Sequence, residues 1–457
     1  MPPSQEPAEQ RENDGCHGKE QEGVLAPQPS SAEGEDIMIS PRRALLAVAF
    51  AAATIALSPA PPASAQVEIR LNKIDSYFPN LGHKKEMNRA YRDKVGKLRE
   101  ELHRRQLAGE GLACSAQILQ EVHWLVNYTT RRADVERRLA DLRRSLSDGK
   151  PQDFAYRQDP RDGSFGPCFE EWIWRFAASV DPLKELALKG LKPEVPLKIW
   201  APVDTPEEIR SYMESLLISD VAEGRNRRKE LNMAIDALGQ LLWLDATASV
   251  FPDSLDRKQL AAALTTFVDE RWQDPETGYW GAWYRERGEI RKTHDLSITF
   301  HVISYRGGEV RLRKQIAQTT FAIRHVPYPF GWDGGGLQNN HHAYDVVRIV
   351  NLTWSDLDRT QQSVAKAFLI LLTARSLAMS IDGAGAFDVA PYSTAGEAYY
   401  FGLSFFVESG VLGRTASSDV KVTNKEELMA RIGRNLEALD PSDPMVSAAR
   451  KKLALLR

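Results

Sequence analysis

Apolar residues recur every three or four positions along almost the whole chain from Lys85 onward, and this period limits the fold more than any other feature. Strand-like alternation is scarce, and no rhythm of alternating strands and helices indicates a parallel sheet. The segment T-P-E-E-I-R-S-Y-M-E-S-L-L opens with a threonine cap and a proline at the first helical position. The chain is therefore predicted to be all-α. Later helices are predicted at Arg228–Val250, Leu255–Arg271, His294–Tyr305, Arg311–Arg324, Asn340–Leu352, Leu357–Met379, Thr394–Ser409, Asn424–Leu439 and Ser442–Leu455.

Three loops of similar composition separate predicted helices: D-P-R-D-G-S-F-G-P, D-P-E-T-G-Y-W-G and Y-P-F-G-W-D-G-G-G. Helical hairpins with such loops suggest hairpins arranged in a ring, an α/α toroid, forming a single large domain over 66–457. A solenoid would show a similar pattern, but no fixed repeat period supports one. In a ring the loops would gather at one rim and offer aromatic platforms for sugar rings. Each loop could equally reflect turn chemistry alone.

The first 65 residues are expected to lie outside this domain. Residues 1–37 are rich in Pro, Glu, Gln, Ser and Gly, which predicts a disordered extension or a start-site artefact. Residues 38–65 combine a charged start, a short apolar run and an Ala-x-Ala site, which predicts a signal peptide cleaved after Ala65. The protein is therefore expected in the periplasm or secreted, with an uncleaved anchor as the alternative. No other stretch is interpreted as a membrane span.

Composition and cysteine spacing narrow the possible classes. A hydrophobic fraction of 42% and a charged fraction of 26% are typical of a soluble globular protein, and a net charge of -3 gives no reason to expect nucleic acid binding. Cys114 and Cys168 could form a disulfide in an oxidising compartment or remain two buried thiols. Neither cysteine has metal-ligand spacing to another Cys or His, so zinc is not expected and no cofactor is predicted.

The stretch Q-N-N-H-H-A-Y-D-V-V-R-I-V carries more polar groups than a helix start requires. Asn339 or Asn340 would cap the helix, and Asn340, Tyr344 and Arg348 would then share one face with His341 beside them. One asparagine suffices for a cap, so capping leaves the imidazole and the phenol unexplained. Such groups suit abstraction of a proton alpha to a carboxylate, because donors neutralise the carboxylate while an imidazole or phenol moves the proton.

A second polar segment, K-T-H-D-L-S-I-T-F-H-V-I-S-Y, spaces His294 and His301 seven residues apart. On a helix this spacing places both imidazoles on nearly the same face, with Ser297 between them and Tyr305 one turn beyond. Two core histidines bonded to neighbouring backbone would give the same pattern, and both interpretations stay open.

The run N-N-H-H-A-Y-D-V-V resembles the Asn-Asn-His-x-x-Tyr signature of alginate lyases and related α/α-toroid polysaccharide lyases. The resemblance covers this short motif and the all-helical architecture. It implies β-elimination on a uronic-acid polysaccharide of the alginate or glucuronan type. It also implies that Asn340 neutralises the substrate carboxylate, with His341 as the base or a second neutraliser.

In that family a catalytic tyrosine also comes from a later inner helix, for which Y-S-T-A-G-E-A-Y-Y-F-G offers Tyr392, Tyr399 and Tyr400. Tyr344, within the motif, competes and is preferred. His342 has no certain counterpart, which leaves the base open. The predicted catalytic residues are Asn340, His341, Tyr344, His294 and Tyr400.

Further side chains could hold an acidic sugar chain. Arginines can pair carboxylates through two hydrogen bonds, although surface salt bridging is an equally available use. Tryptophans can stack on sugar rings or simply pack in the core. The predicted substrate-contacting residues are His342, His301, Arg285, Arg287, Arg348, Trp280, Trp283, Trp332 and Tyr399.

A glycoside hydrolase on the same scaffold is the main alternative, and it would need two carboxylates across the scissile bond. Asp295, Asp345 and Glu397 are the candidates, with Asp333 also nearby. The first two could instead orient a neighbouring histidine.

Two other readings remain. W-Q-D-P-E-T-G-Y-W-G resembles a Gln-Trp repeat of terpene cyclases, but it occurs once and no D-x-D-D motif accompanies it. A non-catalytic glycan-binding toroid would bind sugar without producing new chain ends. The predicted partner is an acidic polysaccharide or oligosaccharide, with no nucleic acid and no membrane after signal cleavage.

Overall fold

The structure is a computed structural model that describes residues 81–148, 157–220, 224–286, 288–332, 339–392, 394–412, 420–441 and 443–456. All of them belong to one compact unit. The predicted N-terminal extension and signal peptide lie outside the described residues.

Helices dominate, which confirms the all-α prediction. The α-helices are α1 (Leu81–Leu107), α2 (Ala113–Tyr128), α3 (Arg132–Ser147), α4 (Trp172–Ala178), α5 (Val180–Leu188), α6 (Pro206–Leu217), α7 (Arg228–Trp243), α8 (Arg257–Thr266), α9 (Leu296–Tyr305), α10 (Arg313–Ala322), α11 (Asn340–Leu352), α12 (Arg359–Met379), α13 (Ala395–Glu408), α14 (Lys425–Glu437) and α15 (Pro444–Leu456). Short 3₁₀ helices lie at Lys198–Val203, Asp245–Val250 and Trp354–Asp356, and a π-helical turn, Phe267–Trp272, continues α8.

Local capping chemistry explains why helix starts can be read from the sequence. Thr205 caps α6 in a reciprocal capping box with Glu208, as the T-P-E-E pattern predicts. Asp358 and Gln361 form the same arrangement at the start of α12. In both places a side chain accepts a backbone N–H that the helix itself cannot satisfy.

One small sheet accompanies the helices, and the sequence pattern did not predict it. Strands β1 (Ile218–Asp220), β2 (Trp283–Glu286) and β3 (Glu289–Lys292) pair in the order β1-β2-β3. β1 runs parallel to β2, and β2 runs antiparallel to β3. Strands this short leave almost no period in the sequence.

Helices α7, α9, α11 and α13 form a row in which each contacts the next. The first turns of α7 and α9 meet through Arg228 and Asp295, whose side chains are bonded. The first turn of α11 meets the segment leading into α13, because the Asn340 backbone N–H donates to the Tyr392 hydroxyl at 2.8 Å. The starts of α7 and α9 therefore lie together, as do the start of α11 and the segment that leads into α13. Helices α8, α10 and α12 connect them in sequence and pack against α7 or α11.

Helices far apart in the sequence also meet. The Lys451 ammonium group of α15 bonds the Glu185 carboxylate of α5, 266 positions earlier, and the Ser447 hydroxyl lies 3.4 Å from the same oxygen. Helix α15 in turn packs against α13. Helix α15, which packs against the last helix of the row, thus also contacts α5, which precedes the row in the sequence.

Two of the three glycine-rich loops come together at the start of α9. The Asp295 N–H donates to the Trp280 carbonyl at 3.0 Å, and the Leu296 N–H donates to the Pro329 carbonyl at 2.8 Å. The loop D-P-E-T-G-Y-W-G also shows the turn chemistry that was the simpler alternative, since the Asp274 carboxylate accepts the Thr277 N–H at 3.0 Å.

A disulfide joins Cys114 at the start of α2 to Cys168, 54 positions later. The Cα atoms are 5.4 Å apart, which is ordinary for a disulfide. Of the two alternatives left open by the sequence, the structure therefore has the disulfide rather than two free thiols.

The expectation that no later stretch could span a bilayer needs a correction. Helix α12 has 21 residues and is long and apolar enough to do so by length and composition. Helix α12 packs against α11 within this fold, and 17% of its apolar 18-residue window is buried. Its fully buried residues, Ala365, Thr373 and Ser376, lie along one side.

Candidate active site

A recess in the middle of the described fold is identified by side chains that are surrounded by protein and still reachable by water. Burial is the largest influence on the pKa of each of them. Nevertheless, Lys184, Asp236 and His341 keep 30%, 32% and 28% of their side-chain surface accessible. Groups with both properties line a concave region. We call this region the central recess and define it by Lys184, Asp236, His341, Tyr344 and Tyr400.

His341 lies in the first turn of α11, where Asn339 caps the helix by accepting the His341 N–H at 3.0 Å. Its imidazole stacks on Phe401 of α13, with ring centroids 4.0 Å apart. Burial lowers the pKa of His341 well below its ordinary value, and neighbouring positive groups act in the same direction. The imidazole is therefore neutral near pH 7 and can accept a proton.

Two phenols share the recess with this imidazole. Tyr344, one turn after His341, packs edge-on against Phe300 of α9 at 5.2 Å. Burial raises the pKa of Tyr344, and burial followed by the fields of Asp181 and Asp236 raises the pKa of Tyr400. Both phenols therefore stay protonated near pH 7 and can donate a proton.

A hydrogen-bond network fixes the opposite wall. Asp236 of α7 accepts hydrogen bonds from the Tyr305 hydroxyl and from Gln240 at 2.8 Å, and its carboxylate lies 3.2 Å from His301 Nδ1. Burial would raise the pKa of Asp236, but His301 and Tyr305 outweigh it and hold that pKa below its usual range. Lys184 of α5 donates to Gln240 at 2.8 Å and so extends the network. Lys184 also donates to Asp181 at 2.8 Å, so the wall carries the ionised Asp236 carboxylate beside the ion pair of Lys184 with Asp181.

The predicted role of Asn340 as a carboxylate neutraliser is wrong. Its side chain is buried, with 1% exposed. Its amide N–H donates to Ser380 at 2.9 Å, and its carbonyl accepts from Ser376 at 2.5 Å. Because both polar groups are bonded to α12, Asn340 anchors the first turn of α11 and does not face a substrate. The cap itself is Asn339, one of the two predicted positions.

The predicted shared face of His294 and His301 is also wrong. Helix α9 begins at Leu296 with Asp295 as its cap, so His294 precedes the helix. His294 Nε2 lies 3.9 Å from Asp274 in the preceding loop. His301 instead faces Asp236, and its Nδ1 is 3.1 Å from the Tyr305 hydroxyl. A difference of two residues in the helix start leaves His294 outside the helix that carries His301.

The His342 imidazole stacks on Tyr328, with ring centroids 3.4 Å apart. Burial, followed by the charge of Arg228, lowers the pKa of His342 to about 3. Arg348, two turns after His341, pairs with Glu408 of α13 at 3.3 Å. Both predicted substrate contacts therefore already have protein partners.

Trp280 and Trp283 are not sugar platforms, which corrects that prediction. Trp280 is fully buried and donates its indole N–H to the Val268 carbonyl at 2.9 Å. Trp283 is 4% exposed, and the cations of Arg271 and Lys292 lie over its ring at 4.8 and 4.4 Å. Both indoles belong to the hydrophobic core, and Trp283 is the first residue of strand β2.

The remaining predicted contacts are placed as follows. Tyr399 is buried and packs against Phe387, so its predicted substrate contact is wrong. Trp332 is half-buried, and its contact with a sugar ring stays a prediction. Arg285 is exposed on β2, 3.9 Å from an Asp220 oxygen, and no contact places it at the central recess. Arg287 and Asp333 lie outside the described residues.

Two of the three carboxylates proposed for a hydrolase are fully buried and bonded to protein groups. Asp295 is fully buried, accepts two hydrogen bonds from Arg228 at 2.5 and 2.9 Å, and caps α9. Asp345 is fully buried, and burial raises its pKa well above the ordinary value. Its Oδ2 accepts from the Tyr328 hydroxyl at 2.9 Å and lies 3.9 Å from His341 Nε2. Glu397 is half-buried in the first turn of α13.

The sequence patterns did not single out Lys184 or Asp236. They identified Tyr305 only as a residue one turn beyond His301. A signal for Asp236 was present, because L-N-M-A-I-D-A-L-G sets one acid in an apolar helix. A buried charge requires partners, so a lone acid in an apolar helix indicates a polar contact with another part of the fold. No comparable signal marks Lys184.

Other candidate sites are weaker. A shallow surface depression of about 470 Å³ between α6 and the end of α8 shares no residue with the central recess. Within the described ranges, no group of three or more His, Cys, Asp or Glu side chains is arranged to hold a metal ion.

Comparison with known proteins yields no match. No protein-family model matches the chain, and no curated protein or solved structure matches it either.

Proposed function

We propose that the protein is an exported polysaccharide lyase that cleaves a uronic-acid polysaccharide, of the alginate or glucuronan type, by β-elimination. The observation that carries this proposal is the neutral imidazole of His341 in a water-accessible recess with the protonated phenols Tyr344 and Tyr400. β-Elimination needs a base for the proton next to the carboxylate and an acid for the leaving oxygen. Neutral imidazole and protonated phenol are these two groups.

In the proposed reaction His341 takes the proton from the carbon that bears the carboxylate. The electron pair forms a carbon–carbon double bond as the glycosidic C–O bond breaks, and a tyrosine hydroxyl protonates the leaving oxygen. Tyr344 is the preferred acid because it lies on the same helix one turn away, with Tyr400 as its competitor. The ammonium group of Lys184, which pairs with Asp181 at 2.8 Å, lies in the same recess.

The arrangement of helices supports an α/α toroid, the finer part of the proposal. In the row α7, α9, α11, α13 each helix contacts the next, and intervening helices link them in sequence. The contact between α5 and α15 joins a helix that precedes the row in the sequence to one that follows it. In such a ring the central recess would be its interior.

Export is supported by the Cys114–Cys168 bond, because structural disulfides persist mainly in oxidising compartments.

The test is to incubate the exported protein with alginate, glucuronan, pectate and glycosaminoglycans. Ultraviolet absorbance of the unsaturated uronate and new reducing ends are followed together. Absorbance rising with reducing ends would establish elimination and name the substrate. Reducing ends without absorbance would mean hydrolysis and would direct attention to Asp236 and Asp181. Activity on none of these polymers would contradict the proposal.

Variants then test the assigned groups. Tyr344→Phe and His341→Gln should each lower kcat by roughly 100-fold or more, the usual contribution of general acid–base catalysis. Tyr399→Phe is the matched control, because Tyr399 is a buried tyrosine of α13 that faces Phe387. Denaturant unfolding is measured alongside. Full activity per folded molecule in the first two variants would mean that both residues only contribute to packing.

A further inference from the structure

The carboxylate of Asp236 has one oxygen that the protein holds and one that it does not. Its Oδ1 accepts from the Gln240 amide at 2.8 Å and from the Tyr305 hydroxyl, and it lies 3.2 Å from His301 Nδ1. Among the residues that the structure describes, none donates a hydrogen bond to Oδ2, and this oxygen is not buried. The side chain keeps 32% of its surface accessible. The Oδ2 atom is therefore fixed in position and open to a ligand.

Ring contacts connect this carboxylate to the proposed catalytic groups. The His301 imidazole packs edge-on against Phe300 at 5.1 Å, and Phe300 packs edge-on against Tyr344 at 5.2 Å. The helices that carry these side chains, α7, α9 and α11, contact one another in that order. Asp236 therefore shares the central recess with Tyr344, and two aromatic rings lie between them. A sugar chain in the recess can contact Asp236 away from the atoms that react.

The charges around Oδ2 decide which ligand group it can accept. Burial would raise the pKa of Asp236, but His301 and Tyr305 hold that pKa below its usual range, so the carboxylate is ionised near pH 7. An ionised carboxylate repels the carboxylate of a uronate, so the acidic group of the sugar is disfavoured there. A ligand ammonium group is also disfavoured, because Lys184 already places one beside Gln240 at 2.8 Å. A neutral donor such as a sugar hydroxyl fits this oxygen.

We propose that Asp236 Oδ2 accepts a hydrogen bond from a ring hydroxyl of the bound uronate chain, so that the protein selects chains with free hydroxyls over O-acetylated ones. An O-acetyl group removes the hydrogen that the carboxylate accepts and sets ester oxygens against an ionised oxygen. A site built to bond a substrate hydroxyl discriminates against analogues that lack it, because the protein group is left unpaired. The uronate identity of the ligand rests on the proposed function, whereas hydroxyl selection does not require elimination.

The experiment measures calorimetric binding of two forms of one oligouronate tetramer to the full exported chain. The tetramers are prepared from alginate and from glucuronan. One form has free ring hydroxyls, and the other is O-acetylated at those hydroxyls. The wild type should bind the free form about tenfold more tightly or better, as expected for one charge-assisted hydrogen bond.

Asp236→Asn tests whether Asp236 is the cause of this preference. The amide oxygen of the asparagine takes the Oδ1 position, because the Gln240 amide and the Tyr305 hydroxyl both donate there. Its NH₂ group then takes the Oδ2 position, so an acceptor becomes a donor. The variant should bind the free form about tenfold more weakly and prefer it by no more than about threefold.

Asp245→Asn is the matched control, because it removes the same charge from a fully exposed side chain that lies two positions after α7. It should keep the wild-type preference. Unfolding curves confirm that each variant is folded. An unfolded Asp236→Asn is replaced by Asp236→Ser, which also lacks the second oxygen.

Elimination by the same proteins on free and O-acetylated polymers separates the two proposals. Equal binding of both tetramer forms by the wild type, an unchanged preference in Asp236→Asn, or no tetramer binding would overturn the hydroxyl selection. Elimination that accompanies either of the first two results would leave the lyase standing. A preference that depends on Asp236, without any elimination, would support the hydroxyl selection and overturn the lyase.

Discussion

Replacing Asp295 by asparagine should destabilise the protein strongly while sparing activity per folded molecule. The Asp295 carboxylate is fully buried and accepts two hydrogen bonds from Arg228, at 2.5 and 2.9 Å. Each hydrogen bond to a charged group contributes about 1.5–3 kcal/mol, and removing one member of a buried ion pair typically costs about 3–5 kcal/mol. Asparagine keeps the oxygen that accepts the Ile298 N–H and caps α9. The expected loss in the free energy of unfolding is therefore about 3–5 kcal/mol.

The assay is denaturant unfolding with linear extrapolation, combined with turnover corrected for the folded fraction. The double variant Asp295→Asn with Arg228→Met is the control. It removes the uncompensated guanidinium, so it should lose less stability than the sum of the two single variants. Wild-type stability with abolished turnover in Asp295→Asn would refute this reasoning. It would restore Asp295 as a catalytic carboxylate of a glycoside hydrolase.

Three further outcomes are expected. Asn340→Ala should cost about 2–4 kcal/mol in denaturant unfolding, because it removes both hydrogen bonds to α12 and leaves buried hydroxyls unpaired; a variant with normal stability and lost turnover would reinstate it as a substrate contact. Cys168→Ser opens a loop of 54 positions closed by Cys114 and should cost about 4 kcal/mol, and reduction of the wild type should reproduce that loss. Because the pKa of Asp236 is depressed in the folded state, its stabilising contribution is present above its unfolded pKa of about 3.9 and lost as pH falls further. The gap in unfolding free energy between wild type and Asp236→Asn should accordingly close in acid, and a gap that widens there would contradict the assignment.

Local features of the chain were readable without coordinates. The helix starts at Thr205 and Asn339 follow from single side chains that accept nearby backbone N–H groups. The helical class follows from an apolar period that repeats every three or four residues. The same local rules gave His341 and Tyr344 as neighbours on α11, because positions three apart lie one above the other. These are properties of short segments, so the sequence by itself determines them.

Only the tertiary structure decided whether each polar or aromatic side chain is buried among protein partners or accessible to a ligand. Asn340 and Trp280 look like substrate contacts in the sequence, but partners from distant segments enclose both. Asp236 and Lys184 lie 52 positions apart and belong to separate helices, yet both bond Gln240 on the recess wall. Burial depends on which helices become neighbours, and that choice depends on packing across the whole chain. The sequence determined the helices and their polar groups, and tertiary packing decided which of those groups water and a ligand can reach.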